Sequence, residues 1–69
     1  MKITINGEEE SFEKETLTVT ELLYEKNVEM PEMVSVEYNG EMLEREKFDS
    51  QSLKDGDKVE FLYFMGGGN

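Results

Sequence analysis

A chain of 69 residues has room for one small domain whose core covers a modest share of its surface. It contains no cysteine and no histidine, which removes disulfide staples, thiol nucleophiles, zinc fingers and the imidazole base together. Seventeen acidic against seven basic residues give a net charge of −10, which repels nucleic acid and anionic membrane surfaces and favours a protein partner with a basic face.

Ile3 and Ile5 alternate with Lys2 and Thr4, and Asn6-Gly7 follows, a dipeptide that tolerates positive φ; this predicts a strand running into a tight hairpin. Glu8-Glu9-Glu10 reads as a solvated turn, and Glu10 to Glu15 as a short return strand anchored by Phe12. Thr18-Val19-Thr20-Glu21 has capping-box spacing and starts a helix that carries Val19, Leu22 and Leu23 on one face. Asn27 is its left-handed stop, and Met30-Pro31-Glu32-Met33 prevents continuation, because Pro31 lacks an amide donor and disfavours helix at Met30. A second alternating strand, Val34-Ser35-Val36-Glu37-Tyr38, leads through Asn39-Gly40 to its partner Glu41-Met42-Leu43-Glu44.

Arg45 to Lys58 is polar except for Phe48 and Leu53 and predicts a crossover closed by the Asp55-Gly56-Asp57 turn. The strand Lys58 to Phe64 is the most apolar and belongs in the middle of a sheet, beside and parallel to the first strand. The expected core is Ile3, Ile5, Phe12, Leu17, Val19, Leu22, Leu23, Val34, Val36, Leu43, Phe48, Leu53, Val59 and Phe61. Asp55, Asp57 and the glutamate pairs read as solvated turns and strand faces, with no catalytic or metal site. No apolar run approaches membrane-spanning length, and a soluble cytoplasmic protein, monomeric on its own, is expected.

The opening Met1-Lys2-Ile3 before Asn6-Gly7, the helix start Thr18-Val19-Thr20-Glu21-Leu22-Leu23, the segment Val34 to Gly40, and Lys54-Asp55-Gly56-Asp57-Lys58-Val59-Glu60-Phe61 running to Phe64-Met65-Gly66-Gly67-Gly68 span nearly the whole chain. Together they resemble the ThiS and MoaD group of ubiquitin-like sulfur carriers, ThiS most closely. The Asp-Gly-Asp turn followed by a terminal glycine run is the specific part. The resemblance implies an α+β chain of the β-grasp (ubiquitin-like) class, with a mixed sheet of about five strands and one main helix on one face. The domain would occupy 1–65, and 66–69 would form a flexible glycine-rich tail.

It further implies a carrier that is not itself an enzyme and takes no cofactor. Its terminal glycine carboxylate would be adenylated by a ThiF/MoeB-like ATP-dependent activating enzyme and converted to a thiocarboxylate. Sulfur would then pass to a thiazole synthase in thiamin biosynthesis or to another acceptor enzyme. The attachment residue is Gly68, which is followed here by Asn69, so a trimming protease is implied or the chain as written is a precursor or an inactive relative. The alternatives are a ubiquitin-like modifier or non-covalent interaction module, or a carrier for molybdopterin, cysteine or homocysteine synthesis.

The chemistry explains the tail. A carboxylate becomes a useful electrophile once ATP supplies a leaving group, so the chain end must thread into another protein's nucleotide site. Gly66 and Gly67 form a thread without side chains, and Met65 to Gly68 span about 13 Å at ~3.3 Å per residue. If Val59 and Phe61 face the helix, Leu62 and Phe64 share the other face with Glu60. Leu62, Phe64 and Met65 then either dock on the activating enzyme or pack under the Arg45 to Lys58 crossover.

Overall fold

The computed structural model describes residues 1–63, the side chain of Tyr63 excepted. Its elements in chain order are β1 (Lys2–Ile5), β2 (Glu8–Ser11), β3 (Leu17–Thr18), α1 (Val19–Glu25), β4 (Val34–Tyr38), β5 (Glu41–Leu43), β6 (Ser52–Leu53) and β7 (Lys58–Tyr63), with 3₁₀ turns at Pro31–Met33 and Arg45–Lys47. Five strands form one mixed sheet in the order β2-β1-β7-β4-β5, and β3 pairs with β6 in a separate two-stranded ladder. β7 is central, parallel to β1 and antiparallel to β4. This is the β-grasp arrangement, with α1 on one face.

The two Asn-Gly hairpins form for the expected reason. Asn6 and Gly7 have φ of 52° and 86°, Asn39 and Gly40 of 51° and 88°, a pair of left-handed residues that matches the twist of the flanking strands. Asn27, at φ 57°, ends the helix region as expected. At the helix start the Thr18 hydroxyl accepts from the Glu21 N–H (3.1 Å) and the Glu21 carboxylate accepts from the Thr18 N–H (2.9 Å). Two further free amides of the first turn, Val19 and Thr20, donate to the carbonyls of Gln51 and Phe48.

Seven residues are too few for a helix to persist in water. The cap contributes about 1 kcal/mol, whereas burying Val19, Leu22 and Leu23 contributes up to about 5 to 9 kcal/mol, so packing on the sheet decides the matter. Twelve of the fourteen expected core residues are buried. Phe12 and Leu43 are half-buried at the margins of the core, and Met1, Val28 and Tyr38 join them there.

Three expectations need correction. Glu8-Glu9-Glu10 is not a solvated turn: it is most of β2, and the return strand ends at Ser11, short of the expected Glu15. The register explains how glutamates can form a strand. Glu10 lies opposite Ile3 on the helix side of the sheet, where Lys26 Nζ holds its carboxylate at 2.6 Å, while the charges of Glu8 and Glu9 blunt an edge. The crossover also contains structure of its own. Leu17 and Leu53 lie opposite one another and are buried, so two isolated leucines form a short ladder that closes one end of the core.

The third correction concerns Asp57, which is buried rather than solvated. Its Oδ2 accepts from the Tyr38 hydroxyl (2.7 Å) and the Lys54 N–H (2.9 Å), and its Oδ1 accepts from Asn39 Nδ2 (3.3 Å) with Lys54 Nζ at 3.7 Å. Nearby, the Lys2 N–H donates to Asp55 Oδ1 (2.7 Å), the Gly56 N–H to the Lys2 carbonyl, and the Thr4 N–H to the Asp57 carbonyl. Gly56, at φ 91°, supplies the left-handed residue that this turn requires. The turn therefore ties the start of β1 to the β4–β5 hairpin and sets β7 between them.

Candidate functional site

The candidate site is the end of β7, from which the chain continues toward Gly68. Main-chain hydrogen bonds on this strand alternate in direction. On the β1 side, the Thr4 N–H donates to the Asp57 carbonyl, the Asn6 N–H to the Val59 carbonyl, and the Phe61 N–H to Asn6 Oδ1 (2.8 Å). On the β4 side, the Asn39 N–H donates to the Lys58 carbonyl and the Lys58 N–H to Asn39 Oδ1 (2.8 Å). Each hairpin asparagine thus uses its amide oxygen to continue a ladder where its own backbone turns away.

At the far end, β4 keeps β7 in register to its last residue, pairing Ser35 with Leu62 and Val34 with Tyr63. β5 stops at Leu43, and Arg45 takes over the edge of β4: its Nη2 donates to the Val34 carbonyl (2.7 Å) and its Nη1 to the Pro31 carbonyl (2.9 Å). Its guanidinium lies 5.2 Å from the centre of the Phe48 ring. Arg45 therefore fixes the segment beside which β7 ends. Sequence reasoning placed this arginine in a featureless crossover; a cation two residues after a strand is too common a signal to single out.

Leu62 lies on the sheet face away from α1 and is 41% exposed, so it does not pack under the crossover. Met33 and Met42 are also exposed, at 43% and 59%, and Met42 pairs with Glu37, which in turn lies opposite Glu60. The open face near the chain end thus combines large apolar side chains with carboxylates. Of the other residues expected to act, Phe64, Met65, Gly66, Gly67, Gly68 and Asn69 lie outside the described residues, as does the expected domain boundary at 65. Among the described residues no helix is long and apolar enough to cross a membrane.

Electrostatics sharpen at the opposite end of β7. Burial pushes the Asp57 carboxyl up, but the bonds from Tyr38, the Lys54 N–H and Asn39, with the pull of the Lys54 ammonium, outweigh it and leave the group below its ordinary range. Burial and the bond to Asp57 push the Tyr38 hydroxyl up. A tyrosine shifted upward contributes stability below pH ~10 that is lost as pH rises through its folded value. The cluster acts as a structural clamp, because each of its polar groups already has a partner within the fold.

A five-stranded mixed sheet with one helix across it and a central strand that reaches Tyr63 defines the ubiquitin-like β-grasp class. A sequence model of the ThiS family matches residues 2–68. The sulfur carrier protein ThiS of Bacillus subtilis is 33% identical over 66 residues, which cover 96% of this chain and 98% of that protein. A thiazole synthase of Paramagnetospirillum magneticum is 41% identical over all 69 residues, although the chain spans only 21% of that protein's length. The crystal structure of the thiamine biosynthesis protein ThiS of Geobacter metallireducens shares 56% identity and superposes with a TM-score of 0.89, covering 99% of this chain and 100% of that one. Its solution structure gives 0.83 at the same identity, covering 100% and 90%. The chain belongs to the ThiS family, the sulfur carriers of thiamin biosynthesis.

Proposed function

We propose that this chain carries sulfur on the terminal carboxyl of Gly68, once the peptide bond to Asn69 has been cleaved by a protease. The Gly68 carboxylate attacks the α-phosphorus of ATP on a ThiF/MoeB-like activating enzyme, pyrophosphate leaves, and an acyl adenylate forms. A sulfur nucleophile then displaces AMP and leaves a thiocarboxylate, which gives its sulfur to a thiazole synthase. The chain contributes no catalytic side chain; it positions the reacting atom and is the substrate of both enzymes. The observation that carries this reading is β7 itself, a central strand held by Asn39 and β4 along one flank to Tyr63 and by β1 and Asn6 along the other as far as Phe61.

The relative in which a similar segment shares one polypeptide with a thiazole synthase favours that acceptor over molybdopterin, cysteine or homocysteine synthesis. Intact mass spectrometry tests the reading. After incubation with the activating enzyme, Mg·ATP and a sulfur donor, the chain ending at Gly68 should gain the mass difference of sulfur for oxygen; conjugates on lysine side chains would instead identify a modifier. Docking on the activating enzyme is proposed for Leu62 on the open sheet face, with Phe64 and Met65 proposed as further contacts. Leu62→Ala should weaken affinity for the activating enzyme by about tenfold at unchanged circular dichroism, as expected for an apolar anchor near the centre of an interface. Unchanged affinity would remove Leu62 from that interface.

A further inference from the structure

The ladder between β1 and β7 stops early. β1 pairs Thr4 with Lys58 and Ile5 with Val59, and then leaves through the Asn6-Gly7 turn into β2. Asn6 Oδ1 provides one last acceptor, for the Phe61 N–H. β7 nevertheless stays extended to Tyr63, held from the other side by β4. Since the amides of Lys58, Glu60 and Leu62 face β4 and those of Val59 and Phe61 face β1, the Phe61 carbonyl and the Tyr63 N–H face the side that β1 has vacated. No donor or acceptor for them is present among the described residues. A central strand thus carries an open edge only over its final residues, directly before the tail.

Beside that edge, on the helix side of the sheet, lies a groove of about 360 Å³ lined by Ile5, Asn6, Glu8, Glu10, Lys26 and Phe61. Lys26 is committed to Glu10, and Glu8 has no ion pair among the described residues. On the opposite face the edge is flanked by the exposed Leu62.

We propose that the activating enzyme adds a β-strand of its own to this open edge of β7, pairing with the Phe61 carbonyl and the Tyr63 N–H and placing a lysine or arginine side chain in the groove beside Glu8. The inference rests on the carrier reading and specifies how the enzyme grips the chain. An exposed strand edge recruits a partner through main-chain hydrogen bonds, while side chains alternating above and below it set specificity. The six residues from 64 to 69 begin where the edge ends, so an enzyme that takes the tail must cover this edge. An added strand would hold the tail in line with β7, whereas contact through the sheet face alone leaves its direction free.

Amide hydrogen exchange of the full chain, free and saturated with the activating enzyme, tests this. In the free protein the amides of Glu60 and Leu62 should be protected and that of Tyr63 should exchange rapidly; in the complex Tyr63 should slow by at least about tenfold. A complex in which Tyr63 still exchanges rapidly would overturn the added strand and leave the carrier reading standing, whereas no complex would overturn both. Tyr63→Pro set against Tyr63→Ala provides a second readout, because both lose the same side chain and the proline alone lacks the N–H that faces the open side, where it is tolerated for want of a partner strand. The proline variant should keep its thermal midpoint within about 3 °C of the alanine variant and bind roughly tenfold or more weakly than it does; equal affinity would count against the proposal. Glu8→Gln should reduce affinity about two- to fivefold and flatten its salt dependence, and an unaltered salt dependence would exclude the basic contact.

Discussion

Asp57→Ala is expected to lower the thermal midpoint by roughly 10 to 25 °C. The substitution leaves the Tyr38 hydroxyl, the Lys54 N–H and Asn39 Nδ2 without their shared acceptor, at a cost of about 2 to 4 kcal/mol. A domain of this size has a total stability of only about 3 to 10 kcal/mol, and each kcal/mol moves the midpoint by about 4 to 8 °C. A shift under about 3 °C would show that the clamp is dispensable. The pH dependence gives an independent check. The carboxyl is held below its ordinary value in the folded protein, so its contribution is complete above the unfolded pKa of about 3.9 and is lost as pH falls through the folded value. Protonating the other carboxylates relieves the repulsion of a chain at −10 and works in the opposite direction. The quantity to measure is therefore the difference between wild type and variant, which should be flat at neutral pH and shrink below about pH 4.

Gly68→Val should abolish activation while leaving the fold alone. Adenylation needs the terminal carboxylate in line with the α-phosphorus of ATP, and a branched side chain on the reacting residue obstructs the passage through which the tail enters. Misplacement by about 1 Å costs about a hundredfold in rate, so a loss of that order or greater is expected in pyrophosphate release. The thermal midpoint should stay within about 3 °C of wild type. The comparison requires both chains to end at residue 68, so that trimming of Asn69 does not limit either. Normal adenylation of the variant would show that the passage admits a side chain at residue 68 and overturn the steric requirement for glycine, and a collapsed midpoint would show that the tail belongs to the folded core.

The parts of the fold legible in the sequence are those set by local chemistry. Two Asn-Gly pairs, the Thr18 to Glu21 box and Asn27 each set a backbone conformation through residue types that act within a few positions, and each is found where expected. The apolar alternation of β1, β4 and β7 was equally direct, since a slip of one residue would turn Ile3, Val36 or Val59 out of the core. What escaped depends on partners distant in sequence. Glu8 to Glu10 are poor strand formers and pair because β1 offers a ladder and Lys26 neutralises Glu10. The Leu17 to Leu53 contact and the Arg45 staple likewise join segments whose only local signal is an isolated residue. Asp57 looked solvated because Asp-Gly-Asp is turn chemistry, and nothing near it in the chain announces Tyr38, nineteen residues away, as a donor. At the site, alternation put Leu62 on the face away from the helix but left open whether it packs under the crossover, and the open edge beyond Phe61 requires knowing where β1 turns off.

The parallel pairing of β1 with β7 has a consequence for biosynthesis. A ribosome delivers the chain from its amino end, and the strand that completes the sheet's centre follows every other described element. Until Lys58 to Tyr63 are available, β1 and β4 have no common neighbour and the helix has no continuous surface to cover. A chain abandoned before that point remains open to proteolysis. Folding therefore serves as inspection: a molecule that has closed its sheet has been translated through Tyr63.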